Sequence, residues 1–280
     1  MRTTIREIRE MKRRKEKIVV VTGYDYTSAR IIDNVGIPII LVGDTLGQVM
    51  LGYDSTIPVT MEDMIHHTKA VARGSNHALI IGDMPFMSYQ ADTTSAILNA
   101  GRFLQEGGAQ AVKLEGGTVV VETVQKIVAT GIPVMGHIGL TPQSVNQLGG
   151  YRVQGKTIRD GSRLLQDAIA LENAGVFSIV LECIPSLLAK LITEYISVPT
   201  ISIGSGKYCD GQVQVFHDML GLFQDFVPKH AKKYANLAYD IENALRDYYN
   251  EVQKQKFPDD SHSYVIKESV LAELKSKIGK

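Results

Sequence analysis

The feature that most constrains this chain is a short apolar run that ends at a carboxylate and occurs four times. The first run, Pro38–Gly43, ends at Asp44, and later runs end at Asp83, Glu115 and Glu182. Apolar runs of this length, rich in branched residues and bounded by Pro or Gly, are typical of buried parallel strands. Chemistry in parallel sheets lies where the strands end. We therefore expect the four acids at the mouth of a functional site.

The order of predicted elements indicates the fold class. Seven strand-then-helix units follow one another from Ile18 onwards without a linker between them. This pattern predicts a single α/β domain, a (β/α)8 TIM barrel, with a doubly wound open sheet as the alternative. The eighth strand has the weakest signal. Val213–Phe216 fits a strand or a helix, and a few residues near Phe226-Val227 are the expected eighth strand.

The two ends of the chain predict helices. The basic N-terminal segment also contains Glu7, Glu10 and Glu16, which favours a solvated first helix over a transit peptide, a class poor in acids. Leu237–Val252 and Val265–Ile278 predict amphipathic helices. We expect one barrel domain over residues 1–264 and a helical tail over residues 265–280.

The composition of the chain argues against nucleic acid and membranes as binding partners. The chain has 30 basic and 30 acidic side chains and a net charge of +0, so no overall field favours nucleic acid or an anionic membrane. No apolar stretch has the length of a membrane span. The two cysteines, Cys183 and Cys209, lack metal or redox spacing and fit free thiols in a reducing cytoplasm, with Cys183 expected in the core.

The strand-end acids have two interpretations. Asp44 and Asp83 suit helix caps, a frequent role for Asp after a strand. Glu115 and Glu182 are poorer caps, and an unpaired carboxylate at the end of an apolar strand is costly to desolvate. Acids gathered on one rim raise each other's pKa unless a cation joins them. Carboxylate ligands without His or Cys clusters favour Mg²⁺ over Zn²⁺.

Three further side chains complete the hypothesis. Lys113 precedes Glu115 by two residues, so both face the same side of their strand, where Lys113 would pair with the acids or with a substrate carboxylate. Mg²⁺ beside a lysine suits a 2-oxo acid, whose carbonyl it polarises to stabilise an enolate. Glu182 is the candidate base that removes the carbon-bound proton. His137 is either a satisfied core residue or a rival base.

The chain also resembles the ketopantoate hydroxymethyltransferase family. The resemblance covers about residues 18–264. The motifs that carry it are Leu41–Gly47, Gly52–Thr60, Asp83–Met87, Val112–Gly117, Gly136–Asn146, Gly149–Gly155 and Leu181–Pro185.

The resemblance implies a (β/α)8 barrel of the phosphoenolpyruvate mutase/isocitrate lyase type. It implies transfer of a hydroxymethyl group from 5,10-methylenetetrahydrofolate to 3-methyl-2-oxobutanoate, giving 2-dehydropantoate in pantothenate and coenzyme A synthesis, by a cytoplasmic homodecamer. Matching the motifs residue by residue assigns Mg²⁺ to Asp44, Asp83 and Glu115, the last directly or through water. The same matching assigns proton removal to Glu182. The implied substrate contacts are Asp44, Thr45, Asp83, Lys113 and His137.

The chain departs from the family pattern at three positions. Thr45 stands where the family usually has Ser, Ser202 where it usually has Gly, and Ser205 where it often has Ala. These changes concern the shape of the pocket more than its chemistry. Two other functions stay open. One is a Mg²⁺-dependent carbon–carbon lyase, which would need a cysteine in a lid loop that neither Cys183 nor Cys209 supplies. The other is a non-catalytic binding protein.

Overall fold

The structure is a computed structural model that describes residues 1–279, and its centre is a closed barrel of eight parallel strands in sequence order. The predicted TIM barrel is confirmed and the open sheet is wrong. Every strand pairs with its neighbour in sequence, and the last strand pairs with the first. The strands are β1 (Ile18–Thr22), β2 (Ile39–Val42), β3 (Leu79–Asp83), β4 (Ala111–Glu115), β5 (Val134–Gly139), β6 (Ser178–Glu182), β7 (Thr200–Ile203) and β8 (Gly211–Gln214).

Helices surround the barrel and close its ends. They are α1 (Ile5–Arg13), α2 (Tyr26–Val35), α3 (Leu46–Val49), α4 (Met61–Gly74), α5 (Thr93–Gln105), α6 (Val121–Ala129), α7 (Val145–Leu148), α8 (Ile158–Asn173), α9 (Ser186–Tyr195), α10 (Phe216–Leu220), α11 (Leu237–Gln253) and α12 (Glu268–Lys277). No helix within residues 1–279 combines the length and hydropathy that a membrane span requires.

Local sequence explains where several helices begin and end. Thr60 and Asp63 form a reciprocal capping box at the start of α4. Gly36 ends α2 in the left-handed conformation. Asp92 caps the start of α5, because its carboxylate accepts a hydrogen bond from the Ser95 amide at 2.9 Å.

Alternation along the strands divides the core into two layers. Side chains that face outward, such as Val112 and Leu114 on β4, pack against the helices. Side chains that face inward, such as Ala111, fill the barrel with a separate apolar cluster. The next inward positions on β4 are Lys113 and Glu115. The barrel interior is therefore apolar below and charged towards the carboxyl ends of its strands.

The eighth strand differs from its predicted position. β8 is Gly211–Gln214, and the segment containing Phe226 and Val227 is an irregular, exposed loop. β8 has one branched apolar residue, Val213, so its sequence gives little strand signal. Pairing with β1 on one side and β7 on the other holds it in the barrel.

Helix α1 closes the amino-terminal end of the barrel, so the expectation of a solvated helix is wrong for its inner face. Ile8 is fully buried in the inner cluster. The Lys12 ammonium donates to the carbonyl oxygens of Thr193, Ile196 and Val198 at 3.1, 3.0 and 2.9 Å. It also lies 3.0 Å from the Asp210 carboxylate. Basic side chains therefore attach this helix to backbone oxygens.

The C-terminal helices lie on the surface. Neither α11 nor α12 contains a buried residue. Both helices agree with the amphipathic segments predicted there. The division into a barrel domain over residues 1–264 and a tail over 265–280 stays a prediction.

Candidate active site

Strand register brings the predicted residues to one rim of the barrel. Asp83 on β3 is directly paired in register with Lys113 on β4. Glu115, two residues further along β4, is paired in the same way with His137 on β5. Glu182 ends β6 beside Gly139, the last residue of β5. Since parallel strands end at the same edge, these ionisable side chains meet over the barrel interior.

Lys113 joins two of the acids. Its ammonium lies 2.6 and 2.7 Å from the two carboxylate oxygens of Asp83 and 3.8 Å from a Glu115 oxygen. All three side chains are buried. Burial acts to lower the pKa of Lys113, but Asp83, Glu115 and Asp44 outweigh it and raise that pKa above its usual value. Lys113 therefore pairs with the acids, one of the two outcomes predicted for an inward lysine.

Asp44 lacks an equivalent cation. Its amide donates to Asp83 Oδ2 at 3.3 Å, and one carboxylate oxygen accepts from the side-chain amide of Gln143 at 3.0 Å. Burial, followed by the negative charges of Asp83 and Glu115, raises the pKa of Asp44 well above its usual value. Its carboxylate caps no helix, because Thr45 occupies the cap position of α3 without a side-chain bond.

His137 lies between two carboxylates. Its Nδ1 is 3.3 Å from Glu115 Oε1 and its Nε2 is 3.2 Å from Glu182 Oε2, distances of ion pairs rather than well-aligned hydrogen bonds. Burial and Lys113 lower the pKa of His137, but Glu115 and Glu182 outweigh them and raise it to about 9. This environment favours the protonated ring, which makes His137 a weaker candidate base than Glu182.

Glycine positions Glu182. Gly139 has a φ of +100°, and a Cβ there would lie 2.2 Å from the Glu182 carbonyl oxygen. The next residue, Leu140, donates its amide to the same carbonyl at 2.8 Å. The loop after β5 therefore packs closely on the end of β6.

A cavity of about 570 Å³ opens beside this cluster. Glu182 and Thr45 line it. The Thr45 hydroxyl lies 2.7 Å from the hydroxyl of the buried Tyr24. Asp44, Asp83, Lys113 and Glu115 lie deeper, each at most 5% exposed. The chemistry-bearing groups therefore form a charged floor next to an open cavity.

Gln143 is a site residue that sequence reasoning missed. Its side-chain nitrogen donates to Asp44 and to the Met84 carbonyl, and its oxygen accepts from the Tyr89 hydroxyl at 2.7 Å. Its backbone amide donates to Glu115 Oε2 at 3.1 Å. Gln143 therefore connects two of the acids. Its place within the motif Gly136–Asn146 was the signal, but the motif assigned no role to the residue.

Both cysteines are free, as predicted, but Cys183 does not lie in the core. It is half-buried, has a φ of +48° and lines the cavity beside His230. Cys183 directly follows Glu182, the last residue of β6. It therefore lies at the open end of the barrel and not among the apolar residues of the strand. Cys209 is fully buried.

The described residues contain no preformed metal cage. Within residues 1–279, no group of three or more His, Cys, Asp or Glu side chains is arranged to hold a metal ion. The Lys113 ammonium lies between Asp83 and Glu115 and neutralises part of their charge. The predicted metal ligands Asp44, Asp83 and Glu115 stay a prediction.

Comparison with known proteins establishes the family. A family model described as ketopantoate hydroxymethyltransferase matches residues 2–260. The chain belongs to the ketopantoate hydroxymethyltransferase family. The 3-methyl-2-oxobutanoate hydroxymethyltransferase of Dehalococcoides mccartyi (strain CBDB1) is 62% identical over 275 residues, which cover 98% of this chain and 99% of that protein. That of Carboxydothermus hydrogenoformans is 56% identical over 273 residues, covering 98% and 99%. The predicted membership of this enzyme family is confirmed.

Several solved structures have the same barrel fold as this hydroxymethyltransferase-family chain. Phosphonopyruvate hydrolase matches with a TM-score of 0.60 and 12% identity, covering 99% of this chain and 97% of that one. 2,3-Dimethylmalate lyase, described as a PEP mutase/isocitrate lyase superfamily member, matches with a TM-score of 0.56 and 16% identity, covering 99% and 100%. At these identities the likeness concerns the fold alone, and it agrees with the predicted (β/α)8 barrel.

Proposed function

We propose that this chain transfers a hydroxymethyl group from 5,10-methylenetetrahydrofolate to 3-methyl-2-oxobutanoate, giving 2-dehydropantoate for pantothenate and coenzyme A synthesis. The observation that carries the proposal is a full-length match to relatives with this enzyme name, at up to 62% identity. The buried cluster of acids with Lys113 supports it, because the reaction needs a base and a cationic site for an oxo acid.

The charge balance of the cluster suits a divalent cation. Four carboxylates, those of Asp44, Asp83, Glu115 and Glu182, face two cationic side chains, which leaves an excess of two negative charges. Mg²⁺ is commonly held by one or two protein carboxylates, with water and substrate oxygens completing its shell, so a three-residue cage is not required. We assign it to Asp44 and Asp83, with Glu115 contributing directly or through water. When bound, Mg²⁺ would supply Lewis-acid polarisation of a carbonyl.

The remaining floor residues bind and orient the oxo acid. Lys113 offers a permanent ammonium for the substrate carboxylate or for the charge that develops on the carbonyl oxygen. Thr45 offers a hydroxyl whose direction is set by Tyr24. His137, also assigned as a substrate contact, is 2% exposed beneath Glu182 and orients that carboxylate.

Glu182 is the proposed base. It reaches the cavity, whereas its partner His137 does not line it. Water would release the one-carbon unit of the folate as formaldehyde and free tetrahydrofolate. Glu182 would remove the proton from C3 of the oxo acid, C3 would bond to the formaldehyde carbon, and the protonated Glu182 would return that proton to the new alkoxide, which becomes the hydroxyl. The proposed setting is a cytoplasmic homodecamer that needs no nucleic acid or membrane.

A direct assay tests this function. The purified chain is incubated with 3-methyl-2-oxobutanoate, 5,10-methylenetetrahydrofolate and Mg²⁺, and the expected product is 2-dehydropantoate. Removal of the divalent ion with EDTA should stop the reaction, and added Mg²⁺ should restore it. A protein that is folded and loaded with Mg²⁺ but forms no 2-dehydropantoate would contradict the proposal, as would cleavage of a larger oxo acid in its place.

A further inference from the structure

The cavity beside Glu182 is larger than the oxo acid needs. Its volume of about 570 Å³ falls in the range of roughly 300–1,000 Å³ that holds drug-sized ligands. A five-carbon oxo acid at the charged floor fills only a small part of it. The rest of the wall is mainly apolar, and its members include Val49, Leu140, Val153, Ile203, Val215 and Phe223.

One of the acids in this wall is buried and has no partner. Asp218 lines the cavity and is 6% exposed, yet its carboxylate makes no hydrogen bond and no ion pair within 4 Å among residues 1–279. Buried polar groups are nearly always hydrogen-bonded, and each exception requires an explanation. Lys233 is the opposing charge that acts on Asp218, but it lies beyond contact distance.

The position of Asp218 is fixed relative to the charged floor. Asp218 lies on α10, whose first residue, Phe216, donates its amide to the Thr22 hydroxyl at 2.9 Å. The neighbouring His217 ring lies 5.5 Å from the Tyr24 ring, centroid to centroid. Tyr24 in turn contacts the Thr45 hydroxyl. Contacts through His217 and Tyr24 therefore connect the helix that carries Asp218 to Thr45, a residue of the proposed substrate site.

Helix capping does not explain Asp218. An acid in the first turn of a helix usually accepts a backbone amide or interacts with the helix dipole. Helix α10 has only five residues, and the Asp218 carboxylate accepts no amide from residues 1–279. Burial instead raises its pKa to about 6. A side chain that costs stability and faces a cavity is a candidate for ligand binding.

We propose that Asp218 binds the folate donor by accepting two hydrogen bonds from the adjacent N–H groups of its 2-amino-4-oxopyrimidine edge. A carboxylate and two parallel N–H donors form a bidentate pair, which is stronger than a neutral hydrogen bond. The apolar wall suits the flat ring. Arg152 and Lys229 line the same cavity and suit the carboxylates of the glutamate tail. This assignment rests on the proposed function, which requires the folate.

The test compares Asp218→Asn with Asp240→Asn. Asp240 is also an acid in the first turn of a helix, but it is exposed on α11 and does not line the cavity. Calorimetric titration with tetrahydrofolate should show binding weakened at least about tenfold in Asp218→Asn, the usual effect of losing a hydrogen bond to a charged group. Asp240→Asn should bind like the wild type. Equal affinity in all three proteins would overturn the assignment.

A modified ligand tests the same contact without relying on the variant. The 2-desamino-2-methyl analogue of tetrahydrofolate lacks the amino group, so the wild type should bind it at least about tenfold more weakly than tetrahydrofolate. Asp218→Asn should distinguish the two ligands much less, which is the signature of a direct pair. If the wild type binds neither ligand, the proposed function fails. If it binds both equally, only the role of Asp218 fails.

Stability separates binding from a structural role. Because the folded state raises the pKa of Asp218 from 3.8 to about 6, the contribution of this carboxyl to stability should fall as pH rises from about 4 to about 6. Asp218→Asn should therefore melt no lower than the wild type at pH 8. A much lower melting temperature at pH 8 would show that the fold needs this carboxylate, and would contradict the proposal.

Discussion

At the scale of single residues, Gln143 supports the acids through contacts distant in sequence. Its side-chain nitrogen donates to Asp44, and its backbone amide donates to Glu115. Tyr89, Met84 and Gln90 complete its side-chain hydrogen bonds. A fully bonded buried amide fixes the orientation of the groups around it. We therefore assign Gln143 a positioning role.

Replacing Gln143 with Leu should weaken the site while keeping side-chain size. Asp44 would lose its side-chain donor, and hydrogen bonds to charged groups contribute about 1.5–3 kcal/mol. Affinity for 3-methyl-2-oxobutanoate in the presence of Mg²⁺ should fall about 10- to 100-fold by calorimetry. The control is Gln90→Leu, because Gln90 is exposed and bonds to the Gln143 oxygen and, at 3.4 Å, to the Tyr89 amide, but to none of the acids. Unchanged affinity in Gln143→Leu would refute the positioning role.

The site residues that the sequence predicted are marked by local patterns, whereas the residue that it missed is marked only by contacts with residues distant in the chain. Asp44, Asp83, Glu115 and Glu182 were predicted at one rim because each ends an apolar run, a local pattern. Gln143 contacts Asp44 across 99 positions, so no window around it carries the signal. His137 was left between two roles for the same reason. Only the fold shows that it lies between Glu115 and Glu182.

At the scale of elements, pairing between strands fixes the position of β8, which the local sequence pattern does not predict. The seven stronger strands carry apolar runs, and all of them formed where the sequence predicted. β8 has a weak run and is held by hydrogen bonds to strands on both sides. Phe226 and Val227 looked more like a strand but are 66% and 37% exposed. Hydrophobicity alone therefore misplaced the element that closes the barrel.

Helix α1 offers a test of how the amino-terminal end of the barrel is stabilised. Lys12→Met would leave three carbonyl oxygens and the Asp210 carboxylate without their common donor. Unsatisfied buried groups cost about 1–3 kcal/mol each, partly offset by water, so the melting temperature should fall by roughly 4–10 °C.

Arg13→Met is the matched control on the same helix. Arg13 is 72% exposed and pairs only with Glu10, and exposed pairs contribute about 0–1 kcal/mol. Its melting temperature should stay within about 2 °C of the wild type. Equal shifts in the two variants would show that the Lys12 contacts do not hold the barrel end.

At the scale of the whole molecule, an exposed apolar face predicts self-association. Helix α11 presents Tyr239, Ile241, Leu245, Tyr248 and Tyr249 at the surface, each between 48% and 62% exposed. Large exposed apolar patches mark interaction sites. The expected homodecamer should sediment as a species far larger than the 30.8 kDa chain at micromolar concentration. A monomer in sedimentation velocity would contradict this prediction.

The central claim is that Glu182 removes the C3 proton of an oxo acid bound over the charged rim. Exchange of that hydrogen with deuterium from solvent, measured by NMR with Mg²⁺ and without folate, tests it most directly. The wild type should exchange, and Glu182→Gln should be slower by about 10² to 10⁴, the usual cost of losing a positioned base. His137→Asn should lose less, because the account gives His137 a supporting role beside Glu182 and not that of the base. Exchange at the wild-type rate in Glu182→Gln, together with its loss in His137→Asn, would contradict the account and make the histidine the base.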